Sequence, residues 1–411
     1  MNLCGMFLGL LGLLPLTPPV RLTFTPGLTE IGLTHRNAWV DSGGTVWIAT
    51  QDRDGLTYRI VLVRWDGTQA LLDTVRQGSA DSKWPSLTPF QDSLAVVWHD
   101  YRVAGIQNVE LFGRMRSLLD GGWGPEERLT YTHAANGGDN SYVPPVWAQG
   151  DTLRVGWYDF RENPARASVY FKQRAVGLPW DSLGDVRVNA DTSGQAWFPA
   201  VIPEPGGFTV FWADDRSGVS QIWGRSYRYG TGWSPSQHWW PSSTAQAYPA
   251  AARCGGVRAV VWEAQGIRGR TEGGSEVAFS PTGHHPDLVP AGRGCWVVWA
   301  EDRALAGVYW IPPDTLRDTF YLLRPAPLAP GAGYAGPDAF LTPDGRLGVV
   351  WAETLPDEPG NTDLFLTLSL PTGVAASPVS PGPAVDIQAT PRGWRLLSKQ
   401  ARTLSLRDLT G

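Results

Sequence analysis

A chain of 411 residues with 42% hydrophobic content is long enough to bury a large core. Its net charge of -5 and pI near 5.7 argue against a nucleic-acid or anionic-membrane surface. Lysine occurs only at Lys83, Lys172 and Lys399, so nearly all positive charge is arginine, which pairs bidentately with carboxylates and stacks on aromatic rings.

Residues 1–19 read as a signal peptide around the apolar run 6–17, which is too short to span a bilayer. That reading implies a secreted or cell-surface protein with no membrane span once the segment is removed. Of three cysteines, Cys4 would leave with it. Cys254 and Cys295 remain, and both a single disulfide and two buried thiols are open.

Residues 20–25 alternate like a strand with no hairpin partner nearby. A repeat follows. A proline, then a tryptophan thirteen positions on that closes an apolar run, describes Pro85 to Trp98, Pro144 to Trp157, Pro199 to Trp212, Pro249 to Trp262 and Pro286 to Trp299. Pro337 to Trp351 is one residue longer, and Thr34 to Trp47 keeps the spacing without the proline. Each unit predicts a hairpin with the proline at the first position of its strand, where a missing donor costs least. The second strands (LAVVW, LRVGW, FTVFW, RAVVW, CWVVW, LGVVW) are apolar on both faces, as in small sheets stacked around an axis.

The expected fold is therefore all-β: a single propeller of four-stranded antiparallel blades over residues 20–370. The hairpins count seven blades, with six the alternative if the first unit or the compressed fifth is not a blade. The last unit lacks a fourth strand, and residues 20–25 are predicted to complete it and close the ring. Residues 371–384 read as a Pro/Ser-rich linker and 385–411 as the start of a small β segment.

Four units continue Trp-x-Asp/Glu-x-Arg: Trp98, Asp100, Arg102; Trp157, Asp159, Arg161; Trp212, Asp214, Arg216; Trp299, Glu301, Arg303. On a continuing strand the three side chains share a face, so acid and base can pair. Because the motif follows the repeat, it reads as structural, together with Trp47, Trp262 and Trp351. A second aromatic group precedes the prolines: Trp84, Tyr142, Trp197, Phe198, Tyr248, His285 and Tyr334. These are the candidate ligand-binding residues. They would ring one mouth of the channel, with Asp81, Asn140, Gln195 and Gln246 as polar neighbours, or wedge between blades. Trp239 and Trp240 are a further aromatic candidate, with fourth-strand packing as the alternative.

Three Gly-Trp turns, Ser117 to Trp123, Gly177 to Trp180 and Ser226 to Trp233, resemble the Asp-box hairpins of the sialidase-like β-propellers. The resemblance covers about residues 30–370 as a repeat pattern, and it implies a propeller with the boxes on the outer rim. Its catalytic set of three arginines, a Tyr/Glu nucleophile and an aspartate finds no matching motif here, so no catalytic residue is carried over. The ending Asp408 to Gly411 resembles the start of a type IX secretion C-terminal sorting domain.

No histidine cluster or phosphate loop points to a metal or nucleotide, so no cofactor is expected. The expected function is an exported, monomeric, non-catalytic module binding glycan or protein through one mouth of the channel. A sialidase-like glycoside hydrolase with its site at the same mouth is the alternative; Asp139 with Glu263 or Glu276 is the conceivable carboxylate pair.

Overall fold

The computed structural model describes residues 13–24, 27, 29–30, 36–102, 109–131, 140–180, 184–324, 336–355, 357–371, 385–390 and 393–398. They form strands without a helix, and seven antiparallel sheets succeed one another along the chain as the blades of a seven-bladed propeller. The first unit and the compressed fifth are both blades. The chain divides into two compact units, Met1–Ser369 and Leu370–Gly411. In the second, Val385–Thr390 pairs with Gly393–Ser398 as an isolated hairpin. Asp408 to Gly411 lie outside the described residues.

The predicted closure is present. Val20 pairs with Leu366 and Arg21 with Phe365, so the N-terminal strand becomes the fourth strand of blade 7. Thr23 Oγ1 donates to Asp363 Oδ1 at 2.7 Å, and Arg21 pairs with the same carboxylate. The contact begins earlier than the sequence suggests. Thr17 N–H donates to Leu368 O at 2.8 Å, Leu14 N–H donates to Thr319 O at 2.7 Å, and Leu14 and Leu16 pack on the core between blades 6 and 7.

The thirteen-residue spacing has a geometric cause, and it corrects the expected place of the proline. Lys83 pairs with His99 and Ser86 with Val97, so Trp84 and Pro85 together oppose Trp98 in a β-bulge. The same two-against-one arrangement sets Phe198-Pro199 against Trp212, Tyr248-Pro249 against Trp262 and His285-Pro286 against Trp299. In blade 3, Tyr142 bridges Tyr158 and Gly156 N–H donates to Pro145 O, which leaves Val143-Pro144 opposite Trp157. Proline suits the bulge because that residue has no ladder acceptor to reach. The inner strand starts before it, at Ser82 in blade 2 and Ala196 in blade 4.

Blade 1 departs from this register. Ala49 N–H donates to Asn37 O, so Thr50 and not Trp47 stands at the tryptophan position. Trp98 faces the preceding blade, whereas Trp47 faces the following one, in the same cluster with Leu94, Val96 and Trp98. Its indole donates to Asp41 at 3.1 Å. Asp52, two residues beyond Thr50, takes the carboxylate position and pairs with Arg59 at 2.6 Å.

Elsewhere the repeated motif works as read. The indole Nε1–H donates to the carboxylate two residues on: Trp98 to Asp100 (3.1 Å), Trp157 to Asp159 (2.7 Å), Trp212 to Asp214 (2.9 Å), Trp299 to Glu301 (2.8 Å) and Trp351 to Glu353 (2.8 Å). Arg102, Arg161 and Arg216 chelate their own aspartates and lie over the ring of the third strand, Phe112, Tyr170 and Trp223. Blades 6 and 7 substitute partners. Glu301 accepts from Ser280 and Thr282 at 2.7 Å each, and Glu353 accepts from Arg324. Trp262 lacks the carboxylate, and its buried Nε1 has no hydrogen-bond partner among the described residues.

Trp123 packs as an outer hairpin residue on the core between blades 1 and 2 and Trp233 on that between blades 3 and 4, while Trp180 is buried in the core between blades 2 and 3. Trp239 and Trp240 pack on Phe211, Ile222 and Trp262, which is the structural alternative for that pair.

Cys254, at the end of the inner strand of blade 5, is disulfide-bonded to Cys295 in the second strand of blade 6, and both are fully buried. Titration of the denatured, unreduced full-length chain should find one reactive thiol, Cys4. Replacing Cys254 and Cys295 together by alanine should cost about 2–4 kcal/mol in denaturant unfolding; three reactive thiols would contradict the pairing.

Candidate functional site: an aromatic arc and an axial acid pair

The bulge residue takes a left-handed backbone in five consecutive blades: Trp84 (φ 51°), Val143 (φ 50°), Phe198 (φ 54°), Tyr248 (φ 50°) and His285 (φ 49°). For bulky residues this conformation costs on the order of 1–3 kcal/mol each and persists only where surroundings over-determine it. Val143 shows that the bulge itself is architectural; the aromatic choice at the other four is a separate matter.

These rings meet one another. Trp84 contacts His99 (5.3 Å between centroids), His99 contacts Tyr142 (5.4 Å), Tyr142 contacts Tyr158 (5.6 Å), Tyr158 contacts Phe198 (5.7 Å), Phe198 contacts Tyr248 (4.7 Å) and Tyr248 contacts His285 (4.7 Å). The result is one unbroken arc over blades 2 to 6, at the end of the channel where the inner strands begin. Its members are half-buried, apart from His99, which is buried.

Four of the sequence-predicted residues, Trp84, Phe198, Tyr248 and His285, sit at bulges, and Tyr142 joins them from the position before. Trp197 does not; it packs between blades 4 and 5 beside Ile202. Tyr334 and Asp139 lie outside the described residues. Among the polar neighbours, Asn140 and Gln246 spend their side-chain oxygens on the backbone N–H groups of Val109 and Ile222. Asp81 accepts from Tyr58 N–H at 3.0 Å and pairs with Lys83 at 2.9 Å, while Gln195 is held through its backbone by Asp215.

His99 and Tyr158 were not anticipated. Each stands between the motif's tryptophan and aspartate, on the strand face opposite both. Gln51 and Glu263 occupy the same place in blades 1 and 5 and accept the bulge N–H of the next blade, Trp84 and His285 (3.0 Å). Neither ring nitrogen of His99 has a hydrogen-bond partner among the described residues. Burial first, then the charge of Lys83, pushes its pKa down to about 3, so the ring is neutral.

Charged residues that break the repeat converge on the channel axis. Asp287 and Asp338 follow the prolines of blades 6 and 7, where blades 2 to 5 carry Ser86, Pro145, Ala200 and Ala250. Both are buried. Asp287 accepts from Leu288 N–H and Ala339 N–H at 2.7 Å each, and Asp338 accepts from Asn37 N–H. Each carboxylate thus ties its blade to the next. Arg36 reaches from blade 1 across the channel to Val201 O of blade 4 at 3.1 Å, in the field of both acids. Burial raises Asp287 to about 6, and burial together with the neighbouring Asp287 raises Asp338 well above its usual range.

These three residues mark one end of an axial cavity of about 520 Å3 that runs past Val201, Ala251 and Leu288 to Pro203, Arg253 and Pro290. None of the arc's rings lines it. Among the described residues, no group of three or more His, Cys, Asp or Glu side chains is placed to hold a metal ion.

No family model matches the chain, and no curated protein does. Solved structures do. The chain is similar to an α-L-arabinofuranosidase of Fusarium graminearum in complex with arabinobiose (12% identity, TM-score 0.52), over 86% of this chain and 97% of that one. An α-L-arabinanase of Penicillium chrysogenum with arabinobiose gives 12% identity and a TM-score of 0.48 over 87% and 97%. A mutant Trypanosoma rangeli sialidase gives 11% and 0.48 over 86% and 59%. At this identity the likeness to the Fusarium structure bears on the fold alone, which agrees with a propeller. The sorting-domain resemblance of the C-terminus finds no support.

A raised carboxylate binds its proton more tightly when folded, so its contribution is fully present below the unfolded pKa near 4 and is lost as pH rises through about 6. Asp287→Asn should therefore gain stability relative to the parent chain between pH 4.5 and pH 7.5, by about 2 kcal/mol. A pH-independent difference in melting temperature would show that Asp287 titrates normally.

Proposed function

We propose that this protein is an exported, non-catalytic carbohydrate-binding propeller that receives its ligand on the aromatic arc. The observation that carries this reading is the unbroken run of ring contacts from Trp84 to His285. A half-buried ring offers a flat apolar face to the C–H face of a sugar, while its neighbours hold it in place at little further entropic cost. Strained bulges at Trp84, Phe198, Tyr248 and His285 fix where those rings stand. The buried disulfide agrees with an oxidising compartment. The arabinobiose complex of the Fusarium neighbour makes a saccharide the first ligand class to try.

A second reading is favoured by one observation. Asp287 and Asp338 are unrepeated and face the axial cavity, and both are pushed up by burial, Asp338 also by the neighbouring charge of Asp287, as in carboxyl pairs that share acid/base work. On that reading the protein is a glycoside hydrolase.

Glycan-array binding and hydrolysis of fluorogenic glycosides by the same sample separate the two. The binding reading expects saturable glycan binding, weakened at least tenfold by Tyr248→Ala and by Phe198→Ala with melting temperatures little changed, and no turnover. Turnover abolished by Asp287→Asn would replace it with the hydrolase reading. Loss of melting temperature in both arc variants without any effect on binding would remove the arc as the site.

A further inference from the structure

The opposite end of the propeller, where the inner strands turn back, is charged unevenly. The turns of blades 1 to 3 carry Asp41, Asp92 and Asp151, whereas blades 4 to 6 present arginines. Glu204, buried at the end of the inner strand of blade 4, meets three guanidinium groups: Arg258 at 2.6 Å, Arg253 at 3.0 Å and Arg228 at 3.2 Å. Arg258 also reaches Glu272 at 3.0 Å. Behind them Arg154, 2% exposed, bonds neutral partners, Gln173 at 2.8 Å and the Tyr229 hydroxyl at 2.7 Å. Three guanidiniums thus meet two carboxylates, an excess of one positive charge on a chain whose net charge is -5. Arg228 and Arg253 are 45% and 42% exposed, so this excess is accessible.

The axial cavity reaches the same place. Arg253 stands at its lip beside Pro203 and Pro290, and Val201, Ala251 and Leu288 form its walls. Its volume of about 520 Å3 falls within the range of small-molecule sites, about 300–1,000 Å3. An apolar-walled hole with the half-exposed Arg253 of this arginine-rich cluster at its entrance suits one kind of ligand.

We propose that this lip and cavity bind a small organic carboxylate, its anionic head on Arg253 and its apolar body along the channel. The planar guanidinium matches a carboxylate with two parallel hydrogen bonds, and an added anion relieves the mutual repulsion of three arginines gathered on Glu204. The body gains by leaving water for the walls, at roughly 25 cal/mol per Å2 buried. Tyr248 and Arg253 lie five residues apart on one inner strand, about 16 Å, so this site is independent of the arc and of any saccharide there.

Calorimetry on the full chain tests it, with sodium octanoate as the probe beside 1-octanol and inorganic sulfate. Saturable octanoate binding is expected, weakened at least tenfold by Arg253→Gln and by the cavity-filling Ala251→Leu, and unchanged by Tyr248→Ala. 1-Octanol should bind at least tenfold more weakly, and sulfate should not compete at equal concentration. Absence of saturable octanoate binding would overturn the proposal, as would binding insensitive to both Arg253→Gln and Ala251→Leu, or sulfate binding of equal strength.

Discussion

The fold depends on one local constraint: two residues of the inner strand must oppose a single tryptophan of the second. In blades 2, 3, 4 and 6 the indole N–H of that tryptophan is bonded to a carboxylate two residues on, and in three of them an arginine locks that carboxylate while covering a ring of the third strand. Opposite this fixed point the inner strand takes up its extra residue as a bulge. Proline fills one bulge position at no cost in hydrogen bonds, and the other is forced into a left-handed conformation. The side chain there is thrown toward the end of the channel. Repetition of the constraint in neighbouring blades brings those side chains into file, so a device that stabilises each blade also builds the arc.

Where the repeat fails, the molecule acquires its individual chemistry. Blade 1 has Thr50 in place of the tryptophan and Arg36 next to Asn37, and that arginine crosses the axis to Val201 O. Blades 6 and 7 place aspartates after their prolines. Their carboxylates reach backbone N–H groups of the following blade, so burial is partly compensated while the ring is held near its closure. Closure itself rests on the N-terminal strand against blade 7, and the disulfide joins blades 5 and 6. The two ends of the channel then differ in character. One is aromatic; the other has aspartates in the turns of blades 1 to 3 and arginines gathered on Glu204 at blades 4 and 5.

Much of this was legible in the sequence because a spacing constraint leaves a periodic trace. The proline-to-tryptophan interval, the apolar second strands and the unpartnered strand at residues 20–25 gave blade number and closure. The interval did not reveal its cause, since a proline opening a strand and a proline in a bulge look alike without the cross-strand register. Trp47 was misplaced for a related reason: Val46, Trp47, Ile48 and Ala49 are apolar on both faces, so the pattern carries no parity. Tyr158 and His99 were missed as filler between a tryptophan and an aspartate. The signal was there, in an aromatic at a place where blades 4, 6 and 7 carry alanine. Asp287 and Asp338 were likewise visible as acids after proline, but only three-dimensional closure brings blades 6, 7 and 1 to one axis.

The most direct measurement of the central claim is hydrogen–deuterium exchange on the full chain, with and without a saccharide that binds it. The account predicts slowed exchange in peptides covering 82–86, 141–144, 196–200, 247–250 and 284–287, which lie far apart in sequence and share only the bulge position. Protection confined to the hairpin turns at the other end of the channel, or spread over the outer strands, would contradict it.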